Sequence, residues 1–513
     1  MLAPGTAIAL FAMGLGVLVI ANDFTALNVA LPAIEEDFDV DVGTVQWTIN
    51  AYILVFGMGI VTGGRLADMF GRREVFFVGA SIFAGFSLLG GLAQNAEQLI
   101  AMRVGMGLGG ALMWPAILGM TFAALPKERA GLAGGLILGI AGLGNAIGPL
   151  IGGVFTDELS WRWIFFLNVP VSAAAIVVIW AKVHQPRPEA GSRRIDYGGI
   201  AALSLGLVAL LLALDQSVDW GWGDPRVIAM LVLAVLMVGA FAAIERRMGE
   251  AALIPPDVIA NRRFAAACIT VLLLSAVFFT IVLYAPQLME KVLGWSALEA
   301  GAGLLPMLAV FAVVSFLAGR LFERIGGRPV ILAGTIGLAA GPLLLSFFGA
   351  DSSYAALVPG LLVAGIGAGL FYPSITTAAV GLLDEARSSL AGGITYMFQI
   401  AGGAVGLGLT TMIFTTRSED EVVSDAAEVG LRMSGEQAGV IHGVLAGTEP
   451  GEKAFAEFPA SVADRVLDVV RDSFVAGAQL SLRVVAAIAL VGVIVAFLWV
   501  HPADPDEAPA APA

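Results

Sequence analysis

Asp23 and Arg103 are the residues of this chain best placed to do chemistry, because each is an ionisable side chain inside a long apolar run. A charge held in a bilayer costs roughly 2.5–3.5 kcal/mol on insertion scales, so such a group faces a wet cavity or a partner. A carboxyl that alternates between those settings can take up and release a proton, which is what an ion-coupled carrier needs. Arginine does not release its own proton; its part is to hold the carboxylate in one state and let it go in another. Counted at 1.5 Å per residue from the outer ends of their runs, Asp23 lies roughly 12 Å and Arg103 roughly 9 Å deep. That similar depth allows a direct or water-bridged contact.

The elements that must position this pair are membrane helices. Of the 513 residues, 58% are hydrophobic and 13% charged, with mean hydropathy +0.89. Ordinary soluble chains are roughly 45–50% apolar and about 25% charged. Fourteen apolar segments of about 20 residues or more can be placed. The first six are residues 6–34, 42–69, 75–92, 99–125, 130–155 and 163–181, and an additional pair is 195–214 and 227–244. The last six are 264–289, 297–322, 329–348, 355–383, 390–416 and 474–500. The fold class is therefore an all-α polytopic membrane protein. The N-terminal stretch lacks a basic leader and outlasts signal-peptide length, so it reads as the first span.

Polar linkers divide the plan. Residues 1–184 form a first six-helix bundle, 185–263 a linker with two helices, and 264–500 a second bundle with an external loop at 417–473. Residues 501–513 read as a disordered cytoplasmic tail. Fifteen Lys or Arg fall on one set of connections, and the short connections on the other side carry only Arg162, Arg226 and Lys291. This asymmetry places both termini in the cytoplasm, and the plasma membrane is the expected location of the chain. The net charge of −14 is concentrated in the loop, where twelve acids face five bases, and reads as a solvated surface.

Several function classes drop out. Cys268 is the single cysteine, so neither a disulfide within the chain nor a cysteine-based metal cluster is expected. Nothing basic and aromatic enough for nucleic acid occurs. A phosphate-cradling Gly-Lys-Ser or Gly-Lys-Thr loop is lacking, so ATP is not the energy source, and neither cofactor nor metal is expected. An ion gradient remains: each charge moved down 100 mV releases roughly 2.3 kcal/mol, about a fiftyfold concentration ratio.

Three runs carry glycines and charges in patterned form. Residues 64–73, with Gly64, Asp68, Gly71, Arg72 and Arg73, align with residues 319–328, an internal repeat. The glycines suit tight turns and close helix approach, and Asp68 can accept from arginines or cap a helix N-terminus. Gly144, Gly148 and Gly152 share a helix face, with Gly153 beside them, and Pro149 removes one helical hydrogen bond. Trp47, Asn50, Tyr52, Trp114, Tyr372, Tyr396 and Gln399 are further candidates to line a central cavity.

On these residues the chain resembles the major facilitator superfamily, in particular its fourteen-span drug:proton antiporters. Residues 64–73 match the signature between the second and third spans, which by resemblance is a cytoplasmic gate latch. Residues 144–153 look like the antiporter motif of the fifth span, implying a hinge and a seal against leak. Asn22, Asp23, Thr25, Asn28 and Pro32 resemble the first-span motif of the fourteen-span exporters, and Leu99, Arg103, Gly107 and Gly110 resemble a motif assigned to proton transfer. Met106 stands where that motif usually has glutamine. Residues 161–170 resemble a subgroup segment and read as an aromatic anchor at the membrane interface.

The resemblance implies two bundles around a midplane site and proton-coupled export of amphiphilic small molecules, with protons, lipid and the cargo as partners and a monomer as the simplest assembly. Relatives that export multivalent cations carry acids in their C-terminal spans; here those spans have acids only near their ends, such as Glu299. Neutral, zwitterionic or monocationic amphiphiles fit a lone Asp23 better. The alternatives are a dedicated lipid, siderophore or secondary-metabolite exporter, a proton-coupled uptake symporter, and a non-transporting receptor on the same fold.

Overall fold

The computed structural model describes residues 4–183, 194–428 and 460–499. Among these, fourteen helices are long and apolar enough to cross a membrane. We number them α1 (Pro4–Phe38), α2 (Val42–Phe70), α3 (Arg72–Gly91), α4 (Ala96–Ala123), α5 (Ala130–Glu158), α6 (Arg162–Lys182), α7 (Tyr197–Trp220) and α8 (Pro225–Met248). Then come α9 (Arg262–Lys291), α10 (Ala297–Gly303 continuing as Leu305–Ile325), α11 (Gly327–Leu345), α12 (Val358–Gly381), α13 (Ser388–Glu428) and α14 (Ala460–Trp499).

Side-chain caps start several of these helices. Asp41 accepts from the Thr44 amide, Asn95 from Gln98 and Asp196 from Gly199. Ser296 and Glu299 form a reciprocal capping box at the start of α10. Each cap satisfies amides that the helix itself leaves unpaired. Glu299 is thereby a helix-capping residue.

In the first six helices α1 packs on α5 and α6, α2 on α4, and α3 on α4 and α6. The last six repeat those pairings, α9 on α13 and α14, α10 on α12, and α11 on α12 and α14. The halves meet mainly through α5 against α10 and α2 against α13, while α7 lies on α2 and α13 with α8 packed on its outer side. Large apolar side chains such as Val235 and Leu236 on α8 stay exposed at 72% and 60%, as lipid-facing positions do.

Helix α13 outlasts its apolar run to Glu428, and α14 begins at Ala460, ahead of its own. The expected loop 417–473 thus starts and ends as helix, and its middle, 429–459, lies outside the described residues. Helix continuation keeps backbone groups paired beyond the membrane, helped by the Arg417–Glu421 pair one turn apart. The linker residues 184–193 and the tail 500–513 also lie outside the described residues.

Candidate functional site

Five helices converge on Asp23. Arg103 of α4 donates through Nη1 to Asp23 Oδ2, and its Nε donates to the Thr48 carbonyl of α2 at 2.6 Å. Both side chains are about 1% exposed. Asn168 of α6 donates through Nδ2 to Asp23 Oδ1 at 3.2 Å and lies 3.2 Å from the Ser87 hydroxyl of α3. That hydroxyl donates to the Phe165 carbonyl at 2.8 Å. The Tyr52 ring covers the guanidinium, with Arg103 Cζ 4.2 Å from the ring centroid. An ion pair removed from water survives only when its remaining donors and lone pairs are met, and here backbone, amide and aromatic face meet them.

Thr48, Ser87 and Asn168 are absent from the sequence-based candidates. Asn168 lies inside the segment read as an interfacial anchor; at the start of that segment Trp161 is buried and donates through Nε1 to Asp37 at 3.3 Å. The available signal for Asn168 was one amide in an otherwise apolar run.

The α5 glycines bear on the same site from behind. A Cβ at Gly144 would meet Ala21 and the Asn22 amide, one at Gly148 would overlap Thr25, and one at Gly152 would overlap the Ala26 carbonyl. Backbone contact between α1 and α5 therefore frames Asp23 on both sides. Gly153 differs, because its nearest neighbours, Val29 and Leu298, are 3.9 Å away. Helix α5 runs unbroken through Pro149.

The cavity candidates separate into groups. Tyr52 belongs to the Asp23 cluster. Trp114 and Tyr396 face each other between the bundles with ring centroids 4.5 Å apart, and Phe56 closes on Tyr396 at 5.7 Å. Asn50 donates to Asp215 of α7 at 3.1 Å, so it ties the accessory pair to α2. Tyr372 is buried in the second bundle against Phe278 and 3.1 Å from the Ser275 hydroxyl. Trp47 and Gln399 are half-buried and join none of these groups. Tyr52 Oη and Trp114 Nε1 are buried without a hydrogen-bond partner among the described residues.

A second charged cluster stands at the other end of α2. Asp68 accepts from the amides of Ser389 at 3.3 Å and Leu390 at 2.8 Å, in the first turn of α13, and from Arg72 Nε at 3.2 Å. Arg72 also donates to the carbonyls of Gly119 and Glu385. Arg73 donates to the Val183 carbonyl at 3.0 Å. Gly64 presses on the Ser389 carbonyl, and Gly71, at φ +110°, makes the turn into α3 that a Cβ would strain.

The repeat supplies a counterpart, with Glu323 of α10 accepting from the Leu132 amide in the first turn of α5 at 2.9 Å and Gly319 pressing on the Gly131 carbonyl. Residues 129–135 and 387–393 read Arg-Ala-Gly-Leu-Ala-Gly-Gly and Arg-Ser-Ser-Leu-Ala-Gly-Gly, a repeat that could have revealed both receiving helices. Carboxylates at helix N-termini gain from unpaired amides and from the helix dipole.

Comparison with known proteins agrees with this geometry. The family model described as Major Facilitator Superfamily matches residues 13–407. The chain is 30% identical over 500 residues to the tetracenomycin C resistance and export protein of Streptomyces glaucescens, covering 97% of this chain and 92% of that one. It is 33% identical to the puromycin resistance protein of Streptomyces alboniger, covering 83% and 84%. Its fold resembles the crystal structure of the human organic anion transporter MFSD10 at TM-score 0.64 and 14% identity, over 96% of this chain and 100% of that one. The chain belongs to the Major Facilitator Superfamily.

Proposed function

We propose that this protein is a proton-coupled antiporter that exports amphiphilic small molecules across the plasma membrane. The observation that carries this reading is the Asp23–Arg103 pair, buried among five helices and backed by the glycine face of α5. Protonation of Asp23 removes the charge that holds Arg103, and the helices that share the pair are then released to repack. The bundles, 1–184 and 264–500, rock about the aromatic zone of Phe56, Trp114 and Tyr396, and residues 185–263 supply the accessory pair. The latch at Asp68 faces the cytoplasm, both termini lie on that side, and a single chain performs the cycle without ATP.

Export of tetracenomycin C and resistance to puromycin among the relatives support antibiotic-like cargo. Buried charged residues among the described residues are confined to Asp23, Arg103, Asp196 and Glu245, which favours neutral or singly charged cargo in the second bundle. A dedicated secondary-metabolite exporter is the second reading, supported by the match over nearly the whole chain to the tetracenomycin C resistance and export protein.

The test is a cargo screen in proteoliposomes with an imposed pH gradient, read by internal pH. Cargo-dependent proton flux that Asp23→Asn abolishes supports the proposal. Undiminished flux in that variant removes Asp23 from the coupling.

A further inference from the structure

Asp196 and Glu245 are the other two buried charged residues among the described ones, 5% and 2% exposed, and the cycle above does not use them. They stand at the ends of α7 and α8 that lie beside the latch. Asp196 caps α7 through Oδ1, which accepts from the Gly199 amide at 2.8 Å. Glu245 reaches beyond α8 and accepts from the amides of Leu253 at 3.2 Å and Ile254 at 3.1 Å, fixing the chain that leads toward α9. The two carboxyls face one another: a Cβ at Gly199 would meet Asp196 Oδ2 and Glu245 Oε1 together. Asp196 Oδ2 is buried and receives no hydrogen bond from a described residue.

Two facing carboxylates shielded from water cannot both be ionised without a cation or a proton between them. Among the described residues, two neighbouring arginines are matched by acids of their own. Arg72 is paired with Asp68, and Arg387 with Asp257 of the short helix Pro256–Ala260. Arg65 of α2 lies within electrostatic reach of Glu245, Asp68, Asp257 and Arg387, and lines a cleft with Asp196, Arg194 and Leu253. Arg194 is solvent-exposed, and Arg246 and Arg247 follow Glu245 on α8. Among the described residues, one half-buried arginine, shared with Asp68 and Asp257, stands near the two carboxyls, which leaves a charge that one proton balances.

We propose that Asp196 and Glu245 form a second proton-binding site, separate from Asp23, that is filled from the cytoplasm and ties the accessory helices to the latch. With the proton in place, one carboxyl donates to the other and holds the start of α7, the end of α8 and residues 253–254 together. Loss of the proton sets two carboxylates against each other and draws Arg65 toward them, away from Asp68 and Asp257. The latch loosens, so alkaline cytoplasm favours its opening. The orientation rests on the function proposed above; the shared proton does not.

The experiment uses the full-length protein carrying Asp23→Asn and Arg103→Gln, so that the coupling pair no longer titrates. Its melting temperature in detergent is followed from about pH 5.5 to about pH 8.5, with and without Glu245→Gln or Asp196→Asn. A carboxyl held protonated in the folded state contributes stability that is lost as pH rises, so the parent is expected to fall by on the order of a few degrees. Glu245→Gln donates its amide to Asp196 Oδ2 at every pH, giving up the bond from the Leu253 amide, and should flatten that fall whatever it does to the absolute melting temperature. Gly199→Ala, which drives a methyl between the carboxyls, should lower the melting temperature and flatten the profile as well. A pH profile that none of the three changes overturns the proposal, as does a profile that depends on sodium rather than on pH.

Discussion

Asp68 and Glu323 occupy equivalent places in the two halves and each accepts a backbone hydrogen bond from the first turn of a helix in the other half, at Leu390 and Leu132. The two clasps cross, so the α2–α13 and α5–α10 seams close together. A carboxylate bonded to backbone amides contributes about 1.5–3 kcal/mol. Asp68→Asn and Glu323→Gln are each expected to raise the fraction open at the latch end by roughly tenfold to a hundredfold. Spin labels across α2 and α13 would measure it, and an unchanged distance distribution in both variants would remove the clasps from gating.

Asp23→Asn is expected to lose coupling and also to lose stability, because Arg103 then keeps a buried charge with the Thr48 carbonyl, the Met106 sulfur and the Tyr52 and Phe165 faces but no anion. Breaking one side of a buried pair costs about 3–5 kcal/mol. Adding Arg103→Gln should recover most of the melting temperature and none of the proton flux. Recovery of flux in the double variant would contradict the assigned roles.

Tyr52 separates two effects in one side chain. Its hydroxyl is buried without a partner, so Tyr52→Phe should leave the melting temperature equal or higher. Tyr52→Leu removes the aromatic face over Arg103 and should cost up to about 2 kcal/mol. A drop in stability for the phenylalanine variant would show that the hydroxyl makes a bond in solution.

The glycines of α5 differ in tolerance. Gly152→Val would force a side chain into the Ala26 backbone and is expected to lower both folding yield and transport severely. Gly153→Ala should be close to neutral, since its added methyl meets only ordinary contacts at 3.9 Å. Equal damage from the two would mean that helix propensity, not the α1–α5 contact, decides.

Much of this molecule was legible in the chain because lipid imposes a simple rule: a run of about 20 apolar residues must become a helix with every backbone group paired. Fourteen such runs, the repeat of residues 64–73 at 319–328, and the isolation of Asp23 and Arg103 follow from that rule and from spacing. The ends of α13 and α14 did not, because outside the lipid the apolar signal stops while the helix continues.

Contacts between distant segments were decided only by the tertiary structure. Asn168 is one amide in an apolar run until α6 packs beside α1 and aims it at Asp23. Asn50 reads as a cavity residue until α7 docks and brings Asp215 to it. Asp196 and Glu245 sit in polar stretches that the chain presents as ordinary linker ends, and only the antiparallel packing of α7 on α8 buries them face to face. Sequence sets which side chains cannot bear water or lipid alone; the crossing of helices sets which partner relieves them.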